Sequence, residues 1–326
     1  MLGKEMMSIR NLVYALCLTL SSVVFSMVSP SWFGVWVGLE MNLFGALLFL
    51  VNNKKKTVTS AFKYYFVQSF GSSVMVMSIV LGGWMGEDAV LSGLICGLGV
   101  KLGAVPFHFW VVEVLDGIRP SCMWFVLAIQ KVVPFCSVCQ GFQGGWVLVA
   151  LSGASAVVGS ISGVGSTRLS RFAGYSSVAH TGWSLAACFG GQVVLLYYLL
   201  AYWVSLGGFL SLMGGDGYLS SVSGGSVRQS PFSLGISVWL LSLGGFPPFA
   251  GFCGKVVVLM HVMKWSPVLA FFLLGSSVTS WTYYLFVMSM SIIGGSKSVY
   301  PEWSDRSVVF VFLLAIPFLD FMELLL

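Results

Sequence analysis

Charged residues are scarce in this sequence of 326 residues. Lys, Arg, Asp and Glu together make up 8% of the chain, whereas 57% of it is hydrophobic. A soluble globular protein has about 25% charged residues, so a chain of this composition could not cover its core with polar surface. The mean hydropathy of +0.94 agrees. The composition excludes soluble enzymes and disordered scaffolds, and it predicts a polytopic membrane protein.

Several functional motifs are also missing from the sequence. It has no Walker motif, no paired-histidine pattern for haem and no soluble lobe that could hold a flavin or nicotinamide. Its C-x-x-C, Cys136 to Cys139, has no second pair to complete a zinc or iron–sulfur site. The basic residues are dispersed, so the net charge of +5 does not indicate a nucleic-acid partner. We therefore expect no metal and no cofactor in this chain.

Long apolar runs fill the sequence instead. A spanning helix needs ~20 apolar residues, or roughly 30 with a loop, so the length allows about eleven passes. Runs of that kind lie at 12–29, 32–51, 57–81, 89–110, 121–139, 144–164, 171–190, 191–213, 231–262, 265–293 and 306–324. No small-residue cleavage site follows the first run, which indicates a bacterial protein or one made inside its own organelle. We expect an all-α membrane protein of about eleven helices, forming a single transmembrane domain over residues 1–326.

The loop charges are strongly asymmetric between the two sides of the membrane. With the eleven predicted passes, the N-terminus and the even-numbered loops face the same side. The basic residues on that side are Lys4, Arg10, Lys54, Lys55, Lys56, Arg119, Arg168, Arg171, Arg228, Lys297 and Arg306. The opposite side receives Lys264 with the acidic pair Glu87 and Asp88. Basic loops face the cytoplasm or the mitochondrial matrix. The pattern predicts a matrix or cytoplasmic N-terminus and a C-terminus on the other side.

A faint internal repeat is visible. The segment Leu102–Pro106 resembles Leu243–Pro247, with the shared spacing L-G-x-x-P, and the two lie five helices apart. Because five is odd, such units would enter the membrane from opposite sides, as inverted repeats of about 12–139 and 144–293 followed by a final helix at 306–324. Paired broken helices of this kind indicate an ion or substrate pathway. Two ordinary proline kinks are the alternative.

Four ionisable residues, Glu40, Lys101, Lys131 and Lys255, fall near the middle of apolar runs. Each costs roughly 2.5–3.5 kcal/mol at the centre of a membrane helix, so we expect them to be functional. The alternative is ion pairing for packing, but there is one carboxylate among them for three lysines. Lys63 lies one turn inside its helix and could extend back to the basic side.

Buried lysines whose charge depends on nearby carboxylates can be loaded and unloaded with protons. This describes a proton relay better than a binding pocket for an organic solute. His180 lies in mid-helix and titrates in the right range to bridge lysines. It could instead be a neutral histidine bonded to Ser176 or Ser177. His108 lies among aromatic residues, which favours an interfacial anchor.

The same residues resemble a known family, the mitochondrially encoded subunit 2 of the NADH dehydrogenase of respiratory complex I. Six motifs occur in the family's order: Trp36–Asn42, Lys63–Ser69, Lys101–Trp110 running into Glu113, Ala128–Pro134, Tyr175–Trp183, and Leu241–Gly251 running to Lys255. Val112 and Gly254 stand where the family often has proline. The match covers residues 32 to about 260.

The resemblance implies an antiporter-like, proton-translocating subunit of NADH:ubiquinone oxidoreductase in the mitochondrial inner membrane, in a shortened eleven-helix form. It implies that Glu40 and Lys101 form the ion pair of the entry half-channel, Lys131 the central relay and Lys255 the exit-side lysine. FMN, iron–sulfur clusters, NADH and ubiquinone would be bound by partner subunits. Other membrane-arm and accessory subunits are the expected partners, together with inner-membrane lipids, for which cardiolipin is a candidate.

Two other functions fit the same features. An Mrp-type cation/proton antiporter subunit would share the fold and the lysine relay. A structural membrane scaffold would use its buried charges only to hold partners, and it would tolerate neutral replacements at Lys101 or Lys131. The ordered motifs and the length favour the respiratory subunit.

Overall fold

The computed structural model of the chain describes residues 2–50, 55–82, 84, 86–141, 145–166, 168–212, 231–247 and 249–294. Over these ranges the regular structure is helical. The predicted last helix at 306–324, the loop at 214–230 and Pro248 lie outside the described residues. The chain divides into two compact units, the first ending at Leu151 and the second beginning at Ser152.

The first unit contains four long helices followed by three short ones. They are α1 (Leu2–Val28), α2 (Trp32–Leu50), α3 (Lys55–Leu81), α4 (Glu87–Leu102), α5 (Phe109–Leu115), α6 (Pro120–Leu127) and α7 (Val132–Gly141), with a 3₁₀ turn at Ile129–Lys131. Helix α1 packs on α2, and α3 packs on α4 and α5. Each of the short helices α5, α6 and α7 contacts at least one of the longer helices.

The division between the units falls within α8 (Trp146–Gly163). The second unit continues with α9 (Leu169–Ala187), a 3₁₀ turn (Cys188–Gly190), α10 (Gln192–Ser211), α11 (Pro231–Gly244), α12 (Ala250–Trp265) and α13 (Pro267–Gly294). Helices α9 and α10 both contact α12, and α11 packs against α13 and α10. The helix pair α11 and α12 is therefore enclosed by longer helices.

Local signals explain where several helices begin. The backbone N–H of Gly34 donates to Ser31 Oγ at 3.3 Å, and that of Leu269 donates to Ser266 Oγ at 3.3 Å. Serine in this position satisfies an amide that has no partner in the first helical turn. Pro120 starts α6 because its missing N–H is not needed in the first turn.

Close packing of small residues joins α8 to α9. A Cβ atom at Gly159 would overlap the backbone of Ala179, and one at Gly182 would overlap the backbone of Ala156. Small residues let membrane helices approach until their backbones touch. Gly159 and Gly182 therefore allow α8 and α9 to pack closely.

Six of the described helical segments are long and apolar enough to cross a membrane. They are Trp32–Leu50, Thr57–Leu81, Pro120–Gly141, Trp146–Gly163, Gln192–Ser211 and Pro267–Ser289. Val13–Val28 and Gly235–Gly244 are shorter apolar stretches. A polytopic, all-helical membrane protein is therefore confirmed, whereas the number of eleven helices stays a prediction.

Three of the predicted runs are broken in their interior. The run 89–110 divides into α4 and the start of α5, and the run 231–262 divides into α11 and α12. These two breaks were predicted from the L-G-x-x-P segments and are confirmed. The run 121–139 divides at the 3₁₀ turn between α6 and α7, which the sequence analysis did not predict.

Candidate functional site

A capping motif ends α4 in the first unit. Gly103 has a φ of 70°, a conformation that an L side chain rarely adopts. Its N–H donates to the carbonyl of Val100 at 3.1 Å, and the N–H of Ala104 donates to the carbonyl of Gly99 at 2.9 Å. These two bonds form a Schellman motif, the common way to end a helix on a left-handed glycine. The helix therefore stops one residue after Lys101.

Two side chains bind carbonyls at this helix end. Gln68 Nε2 donates to the Lys101 carbonyl at 3.1 Å, and Trp110 Nε1 donates to the Val100 carbonyl at 3.1 Å. The last carbonyls of a helix lack partners within the helix, so these donors make the break stable where water is excluded.

The lysine at this break pairs with the acid of α2. Lys101 Nζ lies 3.4 Å from Glu40 Oε1, and the side chain of Lys101 is 2% exposed while that of Glu40 is 23% exposed. The predicted proximity of Glu40 and Lys101 is thus confirmed. The lysine is enclosed, whereas the carboxylate is in partial contact with the surroundings. The electrostatics of the pair can therefore be changed from the side of Glu40, while Lys101 stays enclosed.

Lys131 lies in the 3₁₀ turn between α6 and α7 and is buried, with 3% exposure. Pro134 explains the turn, because proline has no N–H to offer the carbonyl four residues earlier and its ring crowds that carbonyl. Within the turn, the backbone N–H of Lys131 donates to the carbonyl of Ala128, three residues earlier, at 3.3 Å. A second charged group of the first unit therefore lies at an irregularity in its helix.

Aromatic and amide side chains extend from the α4 break to this turn. The ring of Tyr64 makes an edge contact with Trp110, with centroids 5.7 Å apart. The hydroxyl of Tyr64 donates to Gln130 Oε1 at 3.3 Å. Gln130 directly precedes Lys131. Contacts within the first unit thus link the segments that carry Lys101 and Lys131.

The end of α11 in the second unit repeats the geometry of the α4 break. Gly245 has a φ of 74°, its N–H donates to the carbonyl of Ser242 at 3.1 Å, and the N–H of Phe246 donates to the carbonyl of Leu241 at 3.1 Å. The donors and acceptors have the same spacing as those around Gly103. One capping motif is therefore used twice, but the left-handed glycine is the glycine of the L-G-x-x-P pattern in the first unit and the residue after it in the second.

Lys255 of α12 binds a backbone carbonyl at this second break. Its Nζ donates to the Gly244 carbonyl at 2.7 Å, and Trp281 Nε1 donates to the same carbonyl at 2.8 Å. The ammonium group also lies 5.5 Å from the ring centroid of Trp183, a cation–π distance. Lys255 is buried, with 7% exposure. Each unit therefore places a buried lysine beside a glycine-capped helix end.

His180 lies on α9 and is buried. The hydroxyl of Tyr198 is 2.7 Å from its Nδ1, and the ring of Tyr202 stacks on it with centroids 4.4 Å apart. Of the serines expected beside it, Ser176 is bonded to another tyrosine, at 2.6 Å, and Ser177 donates to a backbone carbonyl. The hydroxyl that contacts His180 Nδ1 is thus supplied by α10 rather than by a neighbour on α9.

Two other predicted positions differ from expectation. Lys63 Nζ forms an ion pair with Glu113 Oε2 at 2.6 Å, in which both side chains are half exposed. This contact joins α3 to α5, and the sequence analysis did not predict it. His108 is buried just before α5, and its ring makes a tilted contact with that of Phe109, with centroids 4.3 Å apart. It therefore packs within the protein, at the start of a helix that follows the break.

Sequence reasoning missed the groups that surround the charged residues. Gln68, Trp110 and Trp183 occur in the recognised motifs but received no role. Tyr64 also lies in one of these motifs, whereas Tyr198 carries no spacing signal. Trp110 and Trp183 lie one helical turn from Glu113 and His180 respectively, and this spacing inside an apolar run is the signal that could have found them.

Comparison with known proteins agrees with this geometry. The model of the family described as NADH:quinone oxidoreductase/Mrp antiporter, TM matches residues 83–280. A subunit of respiratory complex I from Thermus thermophilus has a similar fold, with a TM-score of 0.83, 22% identity and coverage of 96% of this chain and 77% of that chain. A chain of the Mrp complex from Dietzia sp. DQ12-45-1b gives a TM-score of 0.73 and 16% identity, covering 90% of this chain and 62% of that one. The class is that of antiporter-like membrane subunits.

Within this class, the sequence is similar to mitochondrial chains. The NADH-ubiquinone oxidoreductase chain 2 of Mytilus edulis is 32% identical over 276 residues, which is 83% of each chain. The protein belongs to the NADH-ubiquinone oxidoreductase chain 2 family.

Proposed function

We propose that this chain is the antiporter-like, proton-translocating subunit of the membrane arm of NADH:ubiquinone oxidoreductase. The observation that carries the proposal is the recurrence of one arrangement in both units, a buried lysine beside a helix end capped by a left-handed glycine. Irregular backbone at membrane depth is tolerated where it lines a protein-enclosed or watery pathway. Family membership supports the same function.

The charged residues have separate roles in this proposal. In the first unit, Glu40 controls the charge on Lys101, and Lys101 exchanges protons with Lys131. In the second unit, His180 and Lys255 continue the transfer to the other side of the membrane. Burial disfavours a charged lysine and a near carboxylate favours it, so moving Glu40 relative to Lys101 would load or release a proton.

The repeated capping motif also supports the inverted repeat. We propose that residues 12–139 and 144–293 form two five-helix repeats of opposite orientation within one transmembrane domain, followed by a last helix at 306–324. Two segments of different sequence, both ended by the same pair of backbone hydrogen bonds, favour descent from one unit over two unrelated kinks.

The redox groups belong elsewhere in this proposal. FMN, iron–sulfur clusters, NADH and ubiquinone are bound by partner subunits, and the chain contributes no redox centre of its own. Its partners are the other membrane-arm and accessory subunits, with cardiolipin or other inner-membrane lipids around it.

Purification through this chain tests the assignment. A tag on the chain is expected to recover a complex that contains FMN and iron–sulfur clusters and oxidises NADH with ubiquinone as acceptor. Recovery of a flavin-free assembly that exchanges sodium or potassium for protons would contradict the proposal and favour the Mrp-type antiporter instead. The similarity to the Dietzia Mrp chain makes this the informative alternative.

The basic asymmetry of the loops supports a matrix N-terminus and a C-terminus in the intermembrane space. An epitope at the N-terminus is expected to bind antibody only in inverted inner-membrane vesicles. One inserted in the turn between α3 and α4, beside the acidic pair at 87–88, is expected to bind it in mitoplasts. Binding of both epitopes from one side would contradict this topology.

A further inference from the structure

The indole N–H of Trp36, in α2, is a buried donor. Among the described residues its Nε1 atom has no hydrogen-bond partner. The ring is held by packing, with its centroid 5.4 Å from that of Phe33. Buried indole N–H groups usually have a hydrogen-bond partner, as almost all buried polar groups do. The site therefore calls for an acceptor that can reach this nitrogen.

Glu40 lies one helical turn after Trp36 and is the only acidic residue of α2. Side chains four residues apart on a helix are neighbours, with Cβ atoms about 5–6 Å apart. Because each Cα–Cβ bond tilts towards the N-terminus of the helix, the side chain of Glu40 leans over the turn that carries Trp36. A change of its side-chain torsions can therefore bring a carboxylate oxygen to Trp36 Nε1.

The contact between Glu40 and Lys101 is long for an ion pair. Lys101 Nζ is 3.4 Å from Glu40 Oε1, whereas hydrogen bonds between an ammonium and a carboxylate are about 2.7–2.9 Å long. The side chain of Glu40 is 23% exposed, so packing does not enclose it on every side. A carboxylate that leaves the lysine needs another donor, because an unpaired charge in apolar surroundings is strongly disfavoured.

We propose that Trp36 is a positioning residue, which binds the Glu40 carboxylate when that group separates from Lys101. The inference rests on the proposed function, in which this separation releases a proton, and it names the place to which the carboxylate moves. In one state Glu40 accepts from Lys101 Nζ, and in the other it accepts from Trp36 Nε1. The indole keeps its proton and the carboxylate keeps its charge in both states. Lys101 alone loses the neighbouring charge that favours its protonated form.

A density map of the assembled oxidoreductase carrying Lys101→Met tests the second position directly. Methionine removes the ammonium group, so we expect the side chain of Glu40 to turn until a carboxyl oxygen is within hydrogen-bond distance of Trp36 Nε1. A Glu40 side chain that keeps its native direction, or a Trp36 N–H bonded to a different acceptor, would overturn the proposal. This measurement does not depend on whether the chain pumps protons.

Trp36→Phe tests the role of the N–H, because it keeps an aromatic ring and removes the donor. We expect fewer protons pumped per electron, with electron transfer from NADH to an artificial acceptor unchanged. Trp32→Phe is the matched control. It makes the same change in α2 about 12 Å along the helix from Glu40, where the ring packs on Gly141 of α7, and it is expected to pump normally.

Infrared difference spectra of the reduced and oxidised complex give a readout that a loss of packing would not change. The carboxylate band of Glu40 is assigned as the one that Glu40→Gln abolishes. We expect this band to shift in Trp36→Phe, because the carboxylate loses one of its two donors, and to keep its position in Trp32→Phe.

The outcomes separate this inference from the proposed function. If Trp36→Phe pumps normally while Lys131→Met does not, Trp36 does not position Glu40 and the proposed function stands. Equal losses of pumping in Trp36→Phe and Trp32→Phe, with the infrared band unmoved in both, would make Trp36 a packing residue. If Lys131→Met also pumps normally, the proposed function fails, and the density map of Lys101→Met alone decides whether Trp36 binds the carboxylate.

Discussion

Replacing Lys131 by methionine is expected to lower the proton-to-electron ratio of the assembled oxidoreductase, with electron transfer from NADH to an artificial acceptor unchanged. Methionine preserves an apolar stem of similar length in this buried 3₁₀ turn but cannot bind a proton. Moving one charge against 150–200 mV requires about 3.5–4.6 kcal/mol, at about 2.3 kcal/mol per 100 mV. A translocation step of that size needs a group that holds and releases the proton.

Glu40→Gln is expected to have the same effect by a different route. Glutamine keeps a polar group near Lys101 Nζ, 3.4 Å away in the native protein, but removes the charge that favours the protonated lysine. Proton pumping with NADH is measured in reconstituted vesicles, and assembly is checked by the amount of intact complex.

The matched control is Lys63→Met. This lysine undergoes the same chemical change, but its side chain is 50% exposed and pairs with Glu113 outside the buried site. We expect the control to keep the native proton-to-electron ratio. If Lys131→Met and Glu40→Gln also keep it in a fully assembled complex, the buried charges serve packing alone, as a membrane scaffold would require.

Local chemistry made the helix breaks predictable from sequence. A left-handed glycine and a proline a few residues later act locally, so the L-G-x-x-P segments were sufficient to predict the breaks, although the glycine that ends α11 lies one residue after the glycine of the pattern. The pairing of Glu40 with Lys101 was implied by the resemblance to the family instead, because the residues alone showed one carboxylate for three buried lysines and did not select its partner. The helix breaks therefore follow from a local rule that holds regardless of how the helices pack, whereas the ion pair does not.

Contacts that depend on packing were not predictable in the same way. The bond from Lys255 Nζ to the Gly244 carbonyl forms only because α12 folds back against the end of α11. The bond between His180 and Tyr198 joins helices whose relative rotation no sequence pattern revealed. The 3₁₀ turn at Ile129–Lys131 is an intermediate case, because Pro134 was visible in the sequence but a single proline can also be accommodated by a simple bend.

Gly245→Ala, at the end of α11, is the other substitution for which we expect a large effect. The native φ of 74° costs an alanine about 1–2 kcal/mol. Its Cβ would also lie 2.8 Å from Lys255 Cδ and 3.1 Å from Lys255 Nζ. The lysine must then move away from the Gly244 carbonyl, which it contacts at 2.7 Å in the native protein. We expect a lower melting temperature of the complex together with fewer protons pumped per electron.

Gly191→Ala is the control for Gly245→Ala, because it introduces the same backbone strain without displacing Lys255. Gly191 has a φ of 86°, and a Cβ built there would have no atom within 4 Å. This variant is expected to lower the melting temperature by a similar amount and to pump normally. Equal pumping by the two variants would mean that the position of Lys255 at the break is unimportant. A loss confined to Gly245→Ala would instead mean that the capped helix end positions the lysine for proton transfer, which makes the backbone motif part of the mechanism.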